Sequence, residues 1–264
     1  MKIGIIGYGF VGSAIAHAYK QHEVIIIDPK LSDSKSYPDL KSADGIFICV
    51  PTPNTDQGYC DVSILKSVLK NLVLTKMDND VPIISKSTAP PEAYARLQKQ
   101  YPCLIHSPEF LVAKDALFDY KFCKWMILGG KLKSVESALE VVLAGCPDLR
   151  KDKIIHTDIK TASFYKYMMN NYLTTKVSFM NDFFELSVAE GVNWGAVKEI
   201  SKFDNRIGNT HMDVPGPDGK YGWGGMCFPK DVEAICMEAL DHGLEFRLMN
   251  DVRYINKRHR EKNE

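Results

Sequence analysis

Short runs of β-branched residues alternate with helical patterns from residue 2 to about residue 157, and this alternation constrains the fold more than any other feature. Such alternation is typical of βαβ units, whose strands form a mostly parallel sheet. The predicted strands are 2–6, 23–28, 45–50, 81–85, 103–106, 125–129 and 153–157. The predicted helices between them are 10–20, 62–74, 91–100 and 134–144. We therefore expect an α/β domain with a doubly wound sheet over residues 1–157.

The pattern changes at Asp158. Residues 161–190 carry apolar side chains at helical spacing, with no proline or glycine before Gly191. This segment is long enough for a helix of about eight turns. The rest of the chain is helical in pattern apart from a long loop at 205–228, and loops of that length are usually functional. We expect residues 158–264 to form an all-helical central domain with one long helix.

Charge and composition exclude several classes of protein. The 33 Lys and Arg residues balance the 33 Asp and Glu residues, so no overall field favours nucleic acid or an anionic membrane. No apolar run approaches the roughly 18 residues of a membrane span, and the chain opens without a signal-peptide pattern, so we expect a cytoplasmic protein. The seven cysteines include no CxxC pair and fit reduced thiols. His106, His156 and His211 have no ligand-like spacing, so we predict no metal.

A GxGxxG pattern follows the first predicted strand directly and opens the first predicted helix, which is the context that dinucleotide binding requires. Its residues are Gly7, Tyr8, Gly9, Phe10, Val11 and Gly12. The glycines allow a tight turn, a close approach of the pyrophosphate and close helix packing, and the helix N-terminus offers donors to phosphate. Asp28 ends the second predicted strand, where its carboxylate can accept the ribose hydroxyls of NAD. The pattern favours a Rossmann-like domain that binds NAD; a nucleotide-free glycine turn is the alternative, and Lys30 leaves NADP as an option.

A second constellation surrounds Cys227. Pro229 suits the first position of a helix, which would place Cys227 just before a helix N-terminus that favours a thiolate. Asp231 follows four residues later and could face the same side. On this evidence alone, Cys227 is either a nucleophile or a small packed residue.

Lys166 and Asn170 are four residues apart on the predicted long helix, so both point the same way. A cation and an amide donor on one face can stabilise an oxyanion. The alternative is a solvated lysine and a surface asparagine.

Seven motifs in order make nearly the whole chain resemble the UDP-glucose/GDP-mannose dehydrogenase family. They are GYGFVG at 7–12, FICVPTP at 47–53, SKSTAPP at 85–91, SPEFL at 107–111, KYMMN at 166–170, DNRIG at 204–208 and GWGGMCFPKD at 222–231. Members of this family are nucleotide-sugar 6-dehydrogenases, which oxidise an alcohol to a carboxylate with two NAD. The resemblance implies a UDP- or GDP-hexose as substrate.

The resemblance also implies roles for particular residues. Cys227 would form a thiohemiacetal and a thioester, Asp231 would assist proton transfer, and Lys166 and Asn170 would stabilise oxyanions. Thr88 and Glu109 would handle substrate and water. The NAD site would add Val50, Pro51, Thr52 and Thr88, and the substrate site would comprise Glu109, Phe110, Leu111, Lys166, Asn170, Arg206, Gly224 and Gly225. Arg206 would reach the active site of a partner subunit. The helix predicted at 161–190 carries apolar residues around more than one face, too many for one domain contact, so we expect a homodimer with this helix in its interface.

The chain departs from the family pattern in two places. Family members usually continue into a third domain that helps hold the nucleotide, whereas this sequence stops at Glu264, so we expect a short form. Ala113 stands where the family usually has a second acidic residue. Two alternatives stay open: a β-hydroxyacid dehydrogenase that uses Lys166 and Asn170 without Cys227, and a catalytically silent NAD-binding module.

Overall fold

The computed structural model describes residues 1–75, 80–110 and 120–262, and in them seven strands form one sheet. The strands are β1 (Lys2–Ile6), β2 (Glu23–Ile27), β3 (Gly45–Ile48), β4 (Ile83–Ser85), β5 (Leu104–His106), β6 (Met126–Gly129) and β7 (Ile154–Thr157). Their order is β2-β1-β3-β4-β5-β6-β7, and all neighbours are parallel except β5 and β6. The strand order reverses between β1 and β3, which is where a sheet of this type binds its ligand.

Helices cover both faces of this sheet. They are α1 (Phe10–Ala18), α2 (Ser63–Leu74), α3 (Pro91–Gln100) and α4 (Leu132–Gly145). Phe47 of β3 packs in one buried cluster with residues of α1 and α4, whereas its neighbours Ile46 and Ile48 pack in another with residues of α2 and α3. A strand buried on both faces needs a continuous apolar run, which is the pattern that the sequence displays. The predicted α/β class with a doubly wound sheet is confirmed.

Several predicted ends shift by one or two residues for local reasons. The strand predicted at 81–85 begins at Ile83, because Pro82 has no N–H to donate to the sheet. The long helix α5 (Ile159–Ala189) has 31 residues and begins before the predicted residue 161, because the Asp158 carboxylate accepts the Thr161 N–H at 3.0 Å as an N-terminal cap. Gly191 follows its last turn with a φ of +69°.

The chain divides into two compact units within α5. The first contains Met1–Pro53 and Cys60–Lys166, and the second contains Asn54–Tyr59 and Tyr167–Glu264. The second unit includes α6 (Trp194–Ser201), α7 (Phe228–Asp241) and α8 (Arg247–Glu261). Its buried cluster comprises Trp223, Val232, Cys236, Met249 and Val252. The domain limits 1–157 and 158–264 stay a prediction.

The segment Asn54–Tyr59 lies in the second unit although it precedes α2 in the chain. The Asn54 side chain donates to the Lys230 carbonyl at 3.1 Å, and the Tyr59 hydroxyl donates to Asp241 at 2.8 Å. Both ends of this segment, from the first half of the sequence, therefore contact α7.

None of the helices in the described ranges combines the length and the apolar character needed to cross a membrane.

Candidate functional site

The glycine loop, residues 7–12, connects β1 to α1 and requires glycine at both of its ends. Gly7 has a φ of +92°, and a Cβ there would lie 2.5 Å from the Cys49 carbonyl oxygen. A Cβ on Gly12 would lie 2.0 Å from the Gly7 carbonyl oxygen. A Cβ on Gly9, by contrast, would meet nothing within 4 Å. The outer glycines therefore close the turn, and the middle one leaves an open backbone surface at the N-terminus of α1.

Asp28 holds the glycine loop in place. Its carboxylate accepts the Tyr8 N–H at 2.6 Å and the Lys30 N–H at 2.8 Å. These two hydrogen bonds hold the pKa of Asp28 below its usual value. Each carboxylate oxygen has a second lone pair, so the side chain can also accept a ribose hydroxyl. The sequence indicated the ligand role but not this link to Tyr8.

The segments that follow β3 and β4 are joined side by side. The Thr52 hydroxyl donates to the Thr88 carbonyl at 2.6 Å, and the Ser87 hydroxyl donates to the Val50 carbonyl at 2.7 Å. Pro51, which stands between Val50 and Thr52 in the chain, is exposed. Because both segments leave the carboxyl ends of parallel strands, they lie on the same sheet edge as the glycine loop.

Two lysines surround the segment that carries Glu109. The Lys86 ammonium is buried, donates to the Ser107 hydroxyl at 3.0 Å and lies 3.7 Å from a Glu109 carboxylate oxygen. Lys166 donates to the Glu109 backbone carbonyl and lies over the Phe110 ring, 5.1 Å from its centroid.

Lys86 is a candidate site residue that sequence reasoning missed. It lies within the SKSTAPP motif, two residues before Thr88, and its position directly after a buried strand was the available signal. Leu111, predicted in the substrate site, and Ala113 lie outside the described residues.

His106 is a core residue. Its ring stacks on Tyr94 with 4.2 Å between centroids, and Nδ1 lies 3.1 Å from the Ser85 carbonyl oxygen. Burial lowers the pKa of His106 to about 3, so the ring is neutral at physiological pH. The described part of the chain contains no group of three or more His, Cys, Asp or Glu side chains suited to a metal ion.

In the second unit, Cys227 occupies the position directly before α7 and is exposed. The helix begins at Phe228, so Pro229 takes its second position, one residue later than predicted. The Asp231 N–H donates to the Cys227 carbonyl at 3.0 Å, which closes the first turn. The thiol therefore stands at a helix N-terminus, where the dipole favours an anion.

The Asp231 carboxylate is buried one turn into α7 between two donors. Asn170 of α5 donates its side-chain amide to Oδ2 at 2.5 Å, and the Lys230 ammonium lies 2.5 Å from Oδ1. Asp231 is 1% exposed, so these partners balance a charge that solvent cannot reach. Sequence reasoning named Asn170 and Asp231 but did not foresee that they bond to each other, and it missed Lys230.

The remaining predicted residues of this unit lie in loops. The Arg206 guanidinium pairs with both oxygens of Asp204, at 2.9 and 2.7 Å, and its side chain is 89% exposed. Gly224 and Gly225 belong to the cysteine loop, which we define as residues 218–227. Gly225 has a φ of +78°.

A doubly wound sheet with a glycine loop at its switch point, joined to a helical unit with a cysteine at a helix N-terminus, defines a dinucleotide-binding α/β protein. Residues 29–145 match the sequence profile of the UDP-glucose/GDP-mannose dehydrogenase family, NAD binding domain, and residues 160–258 match the central domain of the same family. The chain belongs to the UDP-glucose/GDP-mannose dehydrogenase family. The predicted resemblance is confirmed, and an NAD-binding domain is present.

Relatives of this family align over most of the chain. The UDP-glucose 6-dehydrogenase AglM of Haloferax volcanii is 26% identical, over 94% of this chain and 68% of its own length. A UDP-glucose 6-dehydrogenase of Rickettsia conorii is 31% identical, over 83% of this chain and 50% of its own length. The structure of a UDP-glucose dehydrogenase from Pyrobaculum islandicum has the same fold, with a TM-score of 0.79 at 22% identity, over 97% of this chain and 68% of that one. The chain thus spans one half to about two thirds of the length of these relatives.

Proposed function

We propose that this chain is an NAD-dependent nucleotide-sugar 6-dehydrogenase that oxidises the C6 alcohol of a UDP- or GDP-hexose to a carboxylate. The observation that carries this proposal is the exposed Cys227 thiol at the N-terminus of α7, one turn before a buried aspartate. Family membership supports it, and so do relatives described as UDP-glucose 6-dehydrogenases.

The glycine loop fits NAD. The open surface over Gly9 leaves room for a pyrophosphate, and the N-terminus of α1 has no side-chain cap to occupy its donors. Tyr8, Phe10 and Val11 would line this surface, Asp28 would accept ribose hydroxyls, and Val50, Pro51, Thr52 and Thr88 would complete the site. Bound NAD supplies a hydride acceptor for each of the two oxidations.

Cys227 would retain the substrate between the two oxidations. Its sulfur adds to the C6 carbon of the aldehyde, so a C–S bond forms and the carbonyl oxygen takes a proton. Loss of a hydride and that proton converts this thiohemiacetal to a thioester. Water then attacks the thioester, the C–S bond breaks, the thiol is restored and a carboxylate is released. Asp231 would accept a proton from that water.

The other predicted residues would act on the same carbon or hold the sugar. Lys166 and Asn170 would stabilise the negative oxygen that develops during addition and hydrolysis. Thr88 and Glu109 would orient substrate and water, and the Lys86 ammonium, 3.7 Å from the Glu109 carboxylate, would help to hold that side chain in place. Phe110, Leu111, Gly224 and Gly225 would contact the nucleotide sugar, and Arg206 would reach the site of a partner subunit.

A panel of UDP- and GDP-hexoses, assayed for NADH, tests the activity. The wild-type chain should form two NADH for each sugar.

Cys227→Ser should pass the first hydride and then accumulate a covalent adduct, visible by mass spectrometry, because an alkoxide leaves far more slowly than a thiolate. Two NADH for each sugar from this variant would remove Cys227 from the mechanism and favour the β-hydroxyacid dehydrogenase. NAD binding without turnover of any sugar would favour the silent module.

We also propose a homodimer through α5. One stripe along this helix is apolar and exposed, and patches of this kind mark protein contacts. Its residues are Phe164, Met168, Tyr172, Phe179, Phe183 and Leu186. Phe179→Glu should shift sedimentation from dimer to monomer, whereas Leu244→Glu, at an equally exposed position outside the stripe, should not. If Arg206 acts across the interface, a mixture of Arg206→Ala and Cys227→Ala subunits should regain activity that neither has alone.

A further inference from the structure

A helix distant in sequence holds the cysteine loop. Asn256 of α8 uses both ends of its side-chain amide on one residue of the loop: Oδ1 accepts the Trp223 N–H at 2.7 Å, and Nδ2 donates to the Trp223 carbonyl at 3.0 Å. Asn256 is buried, so water cannot replace these bonds. A side chain of another length, or one that carries only a donor or only an acceptor, could make only one of these two hydrogen bonds.

Arg260, one turn later on α8, adds two further contacts. Its Nε donates to the same Trp223 carbonyl at 2.9 Å, and its Nη1 lies 2.7 Å from the Asp218 carboxylate. The guanidinium thereby joins the start of the cysteine loop to its middle.

Two glycines make room for this arrangement. A Cβ on Gly222 would lie 2.4 Å from the Asn256 Oδ1, and a Cβ on Gly224 would lie 1.8 Å from the Arg260 Nη2. The glycines at these positions are therefore explained by contact with α8.

Trp223 connects the cysteine loop to the helix that begins directly after Cys227. The Trp223 side chain packs with Val232 and Cys236 of α7, and its Nε1 donates to Ser178 of α5 at 3.1 Å. Cys227 stands four residues after Trp223 and directly before α7. A shift of the Trp223 backbone must therefore move the start of α7 or distort the residues that carry the thiol.

We propose that Asn256, assisted by Arg260, is a positioning residue for the Cys227 thiol, an inference that rests on the proposed function for its catalytic meaning. Asn256 does not touch the thiol. It fixes the backbone of Trp223 and so keeps Cys227 at the N-terminus of α7.

The rate at which iodoacetamide alkylates Cys227 in the full chain tests this positioning without any sugar. Cys227 is the exposed one of the seven cysteines, and all seven lie in the described ranges, so peptide mass spectrometry can follow it separately. Asn256→Asp keeps the size and the acceptor but replaces the donor to the Trp223 carbonyl. We expect alkylation at neutral pH to slow by about two- to fivefold, the range of a helix-terminus effect.

Val252→Ala is the matched control. Val252 is buried in the same helix and the same core cluster but makes none of these hydrogen bonds, so its truncation loosens the packing and leaves the hydrogen bonds to the Trp223 backbone in place. Its Cys227 should react at the wild-type rate. Arg260→Met removes the contacts to Trp223 and Asp218 from a side chain that is 22% exposed, and it provides a second variant if Asn256→Asp does not fold.

The outcomes separate this inference from the proposed function. Slower alkylation in Asn256→Asp or Arg260→Met, with the wild-type rate in Val252→Ala, supports the positioning role even if no sugar is oxidised. Wild-type alkylation in both loop variants overturns it, even if the chain is an active dehydrogenase. Equal slowing in Val252→Ala also overturns it, because the effect would then follow from general loss of packing.

Discussion

The glycine loop and the cysteine loop both precede a helix N-terminus, but they are held in different ways. The glycine loop closes on itself: Gly12 packs on Gly7 five residues away, and its link to Asp28 spans 20 residues. The cysteine loop is held from α5 and α8, through contacts that span 33 to 45 residues. A loop of the first kind can be identified from its own sequence, whereas a loop of the second kind depends on residues that its sequence does not contain.

The largest effect should come from a methyl group at the third glycine of the glycine loop. Gly12→Ala places a Cβ against the Gly7 backbone, which cannot move aside, so we expect a loss of about 3 kcal/mol in the free energy of unfolding by urea. Gly9→Ala is the matched control: its Cβ meets open space, so stability should change by less than about 0.5 kcal/mol while NAD affinity falls. Equal stability losses in the two variants would contradict the local account of this loop.

Removal of Asp28 should weaken NAD binding by roughly 1 to 3 kcal/mol, because a charged acceptor of ribose hydroxyls is lost. Calorimetry on Asp28→Ala measures this. Asp28→Asn retains an acceptor for the Tyr8 N–H, so it separates the structural link from the ligand contact. Unchanged NAD affinity in Asp28→Ala, or clearly tighter NADP binding, would refute the assignment.

Lowering the pH should destabilise the sheet through His106 without any change in the sequence of the glycine loop. The pKa of His106 is about 3, below its ordinary value of 6.5, so between these values the unfolded chain binds more protons than the folded one. Stability from this group is complete above about pH 6.5 and falls by about 1.4 kcal/mol for each pH unit below it. Urea unfolding at pH 7 and pH 5 should show a steeper decline in wild type than in His106→Asn. Parallel declines would mean that His106 does not stay neutral in the fold.

The smallest effect should appear in the cysteine loop. Gly224→Ala meets the end of the Arg260 side chain, which can move, so we expect a cost of about 1 kcal/mol. In an Arg260→Met background the same substitution should cost less, and a double-mutant cycle measures the difference. Additive effects would show that Arg260 does not constrain Gly224.

The sequence predicted those parts whose neighbours are close in the chain or follow a period. The apolar run that contains Ile46, Phe47 and Ile48 predicted a strand buried on both faces, and Pro229 placed a helix N-terminus near Cys227. It could not predict the burial of Lys86, because a lysine is buried only when tertiary partners such as Ser107 and Glu109 are present.

The sequence also could not predict the tertiary contacts of the residues that it identified as site candidates. The spacing of Lys166 and Asn170 placed them on one helix, but no spacing rule predicts that Asn170 donates to Asp231, which lies 61 residues away. Asn256 has no local pattern at all, because its two hydrogen bonds depend on how α8 packs within its unit.

The segment Asn54–Tyr59 has a consequence for how such a gene can be recombined. An exchange between relatives at a single crossover near residue 158 would join α7 of one parent to the Asn54–Tyr59 of the other. The Asn54 donor to the Lys230 carbonyl and the Tyr59 donor to Asp241 would then face unfamiliar partners at both ends of the helix that begins beside Cys227. In a viable chimaera, these six residues and the second half of the chain should therefore come from the same parent. The two exchanged segments are not contiguous in the sequence.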